Sequence, residues 1–153
     1  MKKVMFMKII KMTSEAAEEI IKWQYPSPYH IYNMAGAYDD LMASYYAVYQ
    51  EDLIAYFCLG KEAQVPPGDY RQPCLDIGLG LKPDLCGRGL GQVVLREIEG
   101  FAARSWTGDF RLTVATFNER AIRVYQALAY DKGPVFKRQD RDFMIMIKER
   151  THV

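Results

Sequence analysis

The stretch Leu75-Asp76-Ile77-Gly78-Leu79-Gly80-Leu81-Lys82-Pro83-Asp84-Leu85-Cys86-Gly87-Arg88-Gly89-Leu90-Gly91-Gln92 joins two different patterns. Cys74 to Leu81 is a mostly apolar run that stops at Pro83 and reads as a strand. After Gly87 the period changes. Leu90, Val94, Ile98 and Phe101 recur at spacings of four, four and three, one apolar face of a helix running to about Ser105. Between the two, Gly87, Gly89 and Gly91 hold alternate positions. Without Cβ atoms the backbone there can approach a ligand closely and present consecutive N–H groups. The helix that follows adds its positive dipole end, so the loop suits an anion such as a pyrophosphate.

Other glycine loops fit less well. A Rossmann fingerprint needs G-x-G-x-x-G, and Gln92 stands where its third glycine should fall. The next strand, Phe110 to Ala115, also ends without the acidic residue that would hold a ribose. A Walker loop needs Gly-Lys-Ser/Thr, which the sequence lacks. A tight turn with no ligand remains the bland alternative.

Downstream, Phe110, Leu112 and Val114 alternate with Arg111 and Thr113, which predicts a half-buried strand. Asn118 is placed to cap a helix with Ala121, Val124, Tyr125 and Leu128 as its stripe. Val135–Lys137 and Phe143–Lys148 predict a hairpin around Gln139-Asp140. Upstream, Val4–Met12 reads as a strand, followed by Thr13 or Ser14 as N-cap and Glu15, Glu18 and Glu19 in the early turns of a helix to about Trp23. Pro26 and Pro28 break that pattern. A second helical segment spans Tyr38–Ala43, strands follow at Ser44–Gln50 and Leu53–Gly60, and Lys61–Gln72 is a polar loop. The order predicts one mixed α/β domain covering residues 1–153.

Composition narrows the function. Half of the 153 residues are hydrophobic, a quarter are charged, and the formal net charge is +1. That balance offers neither the basic footprint of a nucleic-acid binder nor a polybasic membrane anchor. Cys58, Cys74 and Cys86 form no C-x-x-C pair, so neither a disulfide framework nor a zinc site is expected, and no metal. The apolar stretch Val4–Met7 is broken by Lys8, too short for a signal segment or a membrane span, and a cytoplasmic protein is expected.

With Asn118-Glu119-Arg120-Ala121-Ile122-Arg123-Val124-Tyr125 following the next strand, the chain resembles the GCN5-related N-acetyltransferase superfamily. That family's (Gln/Arg)-x-x-Gly-x-(Gly/Ala) signature falls on Cys86 to Gly91, and its Asn-x-x-Ala-x-x-x-Tyr signature on Asn118, Ala121 and Tyr125. Three positions depart from it: Cys86 replaces Gln or Arg, and Ala129 and Tyr130 replace a terminal Gly-Phe. The resemblance implies a central mixed, mostly antiparallel sheet, splayed near Leu79–Leu81, with helices on both faces. It also implies transfer of acetyl from acetyl-coenzyme A to a primary amine by direct attack, with no covalent acyl-enzyme.

The same resemblance gives roles to residues. Amides of Cys86, Gly87, Arg88, Gly89, Leu90, Gly91 and Gln92 would hold the coenzyme A pyrophosphate, with Asn118 and Tyr125 also in the cofactor site. The edge at Leu79, Gly80 and Leu81 would pair with the pantetheine arm, and one amide there would stabilise the oxyanion. Tyr125 would protonate the departing thiolate. Asp76, in an apolar strand where desolvation favours its neutral form, is the candidate base, with a water chain as the alternative. Cys86 opens a helix, which can activate a thiol, but neither His30 nor His152 has a triad setting, so it reads as a loop residue.

Eight of the eleven tyrosines lie between Tyr25 and Tyr56. Trp23, Tyr25, Tyr29 and Tyr32 are candidate acceptor-site residues, since aromatic faces hold ammonium groups. Tyr45, Tyr46, Tyr49 and Tyr56 are assigned to structure. The acceptor could be a small-molecule amine or a protein amino group, and the resemblance leaves a homodimer open. Two readings from other classes compete: a catalytically silent acyl-coenzyme A-binding domain for sensing or assembly, and a domain for another nucleotide.

Overall fold

The computed structural model describes residues 6–150. Seven strands follow the order β1-β2-β3-β4-β5-β7-β6, with β1 Lys8–Lys11, β2 Tyr45–Gln50, β3 Asp52–Leu59, β4 Cys74–Leu81, β5 Asp109–Ala115, β6 Asp131–Arg138 and β7 Arg141–Lys148. The β4–β5 ladder is parallel, and β1–β2, β2–β3, β5–β7 and β6–β7 are antiparallel. The helices are α1 Ser14–Ile20, α2 Tyr38–Ser44, α3 Leu90–Ala102 and α4 Glu119–Ala127. This is the mixed, mostly antiparallel α/β arrangement expected. Of the predicted first strand, Val4 and Met5 lie outside the described residues, as does His152.

The chain falls into two compact units. The first comprises the described residues through Cys58 together with Leu79–Arg88. Its helix α1 starts where predicted, because Thr13 Oγ1 accepts from the Ala16 amide at 3.2 Å and satisfies one free donor of the first turn. Ala16, Ala17 and Ile20 then face inward and join Met12, Trp23, Leu41, Ala47, Leu53 and Tyr56 in one core. Glu51, at φ 65°, turns the chain between β2 and β3. A short 3-10 turn, Tyr29–Tyr32, was not anticipated, since it carries no apolar period.

The second unit comprises Leu59–Gly78 and the described residues from Gly89 onward. Here α3 packs against α4, and α3 buries Val94, Leu95, Ile98 and Ala102. Leu90 and Phe101, placed on the same face by spacing, are only half-buried at its ends. In α4, Ile122 is the buried residue and Leu128 at its C-cap is buried as predicted, while Ala121, Val124 and Tyr125 are half-buried. β6 begins at Asp131, earlier than the predicted Val135, because its opening residues are exposed and carry no apolar signal.

β5 departs from expectation. Phe110, Leu112 and Val114 are buried, and so is Arg111 at 1% exposure. Alternation had placed Arg111 on a solvated face. Its charge is instead met by Asp76 of β4, so the strand is covered on both sides at that point.

Candidate active site

At the end of β4 the chain passes through a 3-10 turn, Pro83–Leu85, and then reverses twice through left-handed glycines, Gly87 at φ 78° and Gly89 at φ 81°. A Cβ on Gly89 would meet nothing within 4 Å, so its φ, and not crowding, requires glycine there. Gly89 is the N-cap of α3, and no side chain caps the helix. The first-turn amides of Leu90, Gly91 and Gln92 have no carbonyl one turn back within the helix, and they carry the positive end of its dipole. Such a terminus suits an anion. Gly87, Arg88 and Gly89 are exposed. The Cys86 thiol lies against the carbonyls of Lys82 at 3.6 Å and Leu81 at 4.0 Å. It thus ties the loop to its own entry, in the place where the family carries Gln or Arg.

Strand β4 shows which of its amides are available. The Lys82 N–H donates to the Ile54 carbonyl at 2.8 Å, so Lys82 and Gly80 direct their peptide groups toward β3. Leu79 and Leu81 therefore point theirs to the opposite edge. The ladder with β5 runs from Cys74↔Asp109 to Asp76↔Arg111 and stops before these leucines. Of the three residues predicted to offer an edge, Leu79 and Leu81 have the right direction and Gly80 does not.

Gly80 has a different reason to be glycine. A Cβ there would lie 2.4 Å from the Tyr56 hydroxyl and ring tip, which already fill that space from β3. The Tyr25 hydroxyl donates to the Leu81 carbonyl, while the Tyr25 amide donates to Asn33 Oδ1 at 2.8 Å. Trp23 and Tyr45 flank Tyr56 with ring centroids at 6.0 and 5.9 Å, and Trp23 Nε1 donates to Glu19 at 3.1 Å. Burial raises the pKa values of Tyr25, Tyr45 and Tyr56 above the ordinary phenol range. Tyr29 and Tyr32 are half-buried on the 3-10 turn. Tyr56, read from the sequence as structural, thus stands with Tyr25 at the end of β4. Only the pairing register reveals it.

In the second unit, Asp76 is 2% exposed, but its surroundings are not the apolar ones expected of a base. Arg111 grips both oxygens, Nε to Oδ1 at 2.6 Å and Nη2 to Oδ2 at 2.8 Å, and Gln64 Nε2 donates to Oδ2 at 3.0 Å. Hydrogen bonding to Asp76 holds Arg111 above its ordinary pKa. Arg111 also donates to the Gln72 carbonyl at 2.8 Å and lies 4.9 Å over the Tyr70 ring, tying down the loop predicted to be merely polar. The structure thus places Asp76 in a buried ion pair with Arg111.

Asn118 caps α4 as expected, its Oδ1 accepting from the Ala121 amide at 3.2 Å. The helix ends in a left-handed cap: the Tyr130 amide bonds to the Tyr125 carbonyl at 3.0 Å and the Ala129 amide to the Gln126 carbonyl at 3.1 Å, with Ala129 at φ 73°. The family's glycine is the residue this position favours, and alanine holds it here. The Tyr125 ring leans on Tyr130, centroids 6.2 Å apart. Tyr130 is anchored in turn, donating to Glu99 at 2.7 Å, and Glu99 also takes Lys148 at 3.0 Å. Among the described residues no group of His, Cys, Asp and Glu could hold a metal ion, and no helix is long and apolar enough to cross a membrane.

Comparison with known proteins agrees with this arrangement. The acetyltransferase (GNAT) family model matches residues 12–130, and the chain belongs to that family. A bovine thialysine N-epsilon-acetyltransferase is 28% identical over 93 residues, 48% of this chain and 54% of the relative. The chain thus aligns with about half the length of that relative. Among solved structures, AAC(6')-Ib in complex with ribostamycin and coenzyme A superposes with a TM-score of 0.72 at 16% identity, over 94% of this chain and 93% of that one. A spermidine N-acetyltransferase chimera from Vibrio cholerae and hSSAT gives 0.70 at 15%, over 94% and 95%. These likenesses show the shared fold.

Proposed function

We propose that this protein transfers acetyl from acetyl-coenzyme A to a primary amine within a ternary complex. The observation that carries the reading is the loop from Leu81 to Gln92, with two left-handed glycines leading into a helix N-terminus that no side chain caps. It lies inside the stretch matched by the acetyltransferase family. A relative named for thialysine, a solved structure named for spermidine and another holding ribostamycin with coenzyme A support an amine acceptor and a coenzyme A donor.

The amides from Cys86 to Gln92 bind the pyrophosphate, with Arg88 free to meet a phosphate from its exposed position. The Leu79 and Leu81 amides, directed away from β3, pair with the pantetheine arm, and one of them stabilises the negative charge that builds on the thioester oxygen. Holding both reactants together removes much of the entropic barrier, so direct attack by the neutral amine suffices. Tyr125, on the α4 that Asn118 caps, protonates the departing thiolate, a role worth about 10²–10⁴ in rate. Water carries away the amine proton, since Asp76 is committed to Arg111.

The test is turnover of acetyl-coenzyme A with a panel of amines by the native protein and by Tyr125→Phe. A drop in kcat of about 10²-fold or more with coenzyme A binding retained supports the reading. Binding without any turnover by the native protein would make this a silent acyl-coenzyme A-binding domain.

A further inference from the structure

We propose that Tyr25 is a positioning residue for acetyl transfer: by donating to the Leu81 carbonyl it fixes the last peptide of β4, and so holds the Leu81 amide toward the thioester oxygen. The inference rests on the acetyl-transfer reading. It narrows the two candidate amides to one and adds a residue that neither family signature contains.

Three observations lead there. First, the end of β4 needs an outside hold. Gly78 and Gly80 interrupt its side-chain packing, and Pro83 follows its last residue, Leu81. The ladder with β5 stops at Asp76↔Arg111, so from Leu79 onward it no longer secures that edge.

Second, the peptide joining Leu81 to Lys82 is held at both poles. Its N–H donates to the Ile54 carbonyl at 2.8 Å, and its carbonyl accepts the Tyr25 hydroxyl from the opposite side. The peptide is planar, so two grips at opposite poles stop it from turning about the strand axis. In a strand the N–H and C=O of one residue share an edge. Fixing the Leu81 carbonyl therefore also fixes the side to which the Leu81 N–H points. The hold acts at Leu81, which singles it out from Leu79. An amide set in advance stabilises the oxyanion without reorganising during the reaction.

Third, Tyr25 is itself anchored. Its amide donates to Asn33 Oδ1 at 2.8 Å, and the Asn33 amide closes the 3-10 turn on the His30 carbonyl at 3.0 Å. Two residues back, the Trp23 amide donates to the Ile20 carbonyl at 3.1 Å. The phenol thus extends from a fixed main chain. Tyr25 is also buried, so little water competes for the Leu81 carbonyl.

The experiment compares native protein with Tyr25→Phe, which keeps the ring and removes only the hydroxyl. Acetyl-coenzyme A labelled at its carbonyl carbon is bound without acceptor, and the thioester stretch is read by isotope-edited infrared difference. Calorimetry gives its affinity, a thermal melt checks folding, and turnover of thialysine, spermidine, ribostamycin and n-butylamine gives kcat. A hydrogen bond to the thioester oxygen lowers the stretch below its value in free solution. The native band is expected to be lowered in this way, and Tyr25→Phe to move it back toward the free value. With it, kcat falls about 10-fold, less than the outright loss of an oxyanion donor, while acetyl-coenzyme A affinity stays within about 3-fold of native. A band that Tyr25→Phe leaves in place overturns the proposal even if kcat and affinity fall together, since a merely structural role would give that. So does an unchanged kcat. Two results with native protein strike the acetyl-transfer reading itself and take the Tyr25 role with it: no binding of acetyl-coenzyme A, or binding with no turnover of any of the four amines. A native band at the free value instead removes both leucine amides from the reaction, and Tyr25 with them.

Discussion

The Asp76 carboxylate and the Arg111 guanidinium meet across the last pair of the β4–β5 ladder, Oδ1 2.6 Å from Nε and Oδ2 2.8 Å from Nη2. Both side chains are nearly inaccessible, so the pair is a buried ionic rivet between strands 35 residues apart in sequence. Arg111 extends the rivet to the carbonyl of Gln72 and the ring of Tyr70.

Removing one partner leaves a buried charge without compensation. Asp76→Asn is expected to lower unfolding stability by about 3–5 kcal/mol, read by urea denaturation. Replacing both residues, Asp76→Leu with Arg111→Met, should recover most of that loss. In the folded fraction the pH dependence of kcat/KM should keep its native shape. Native stability combined with a large loss of kcat/KM would restore Asp76 as the base.

Ala129 occupies the left-handed position of the α4 cap at φ 73°. A Cβ is unfavourable there by about 1 kcal/mol or somewhat more, and glycine has no such penalty. Ala129→Gly is therefore expected to stabilise the protein by about 1 kcal/mol, measured by denaturant unfolding. Destabilisation would mean that the alanine methyl packs better than this geometry implies.

Tyr25, Tyr56 and Tyr130 are buried, and each has its pKa raised, by burial first and in Tyr130 also by the Glu99 charge. In the unfolded chain these phenols ionise near pH 10. Above that pH the unfolded state releases protons that the folded state retains. Their contribution is therefore fully present below about pH 10 and is lost as pH rises. Stability should fall above about pH 10 by up to roughly 1.4 kcal/mol per pH unit for each phenol kept neutral. Tyr130→Phe should make the fall less steep. Melts across the alkaline range, read beside tyrosinate absorbance, check both.

Local chemistry carried much of this structure. The strand Cys74–Leu81 was bounded by its apolar run and Pro83, and it appears with those limits. Thr13 and Asn118 cap their helices because their side chains reach amides three residues on, a relation that spacing alone expresses. The two signatures, one of alternate glycines and one of Asn118, Ala121 and Tyr125, were enough for the family. What stayed hidden depends on partners far along the chain. Arg111 looked solvated because its partner Asp76 lies on another strand. The place of Tyr56 over Gly80 was hidden because only strand pairing sets it there, and Tyr25 gave no sign of its bond to Leu81, 56 residues away.

The most direct test of the central claim is a calorimetric titration of the purified protein with acetyl-coenzyme A, coenzyme A, ATP and NAD under matched conditions. The account predicts saturable binding of the two coenzyme A compounds and none of comparable affinity for ATP or NAD. Tighter binding of ATP or NAD, or no binding of either coenzyme A compound, would contradict it.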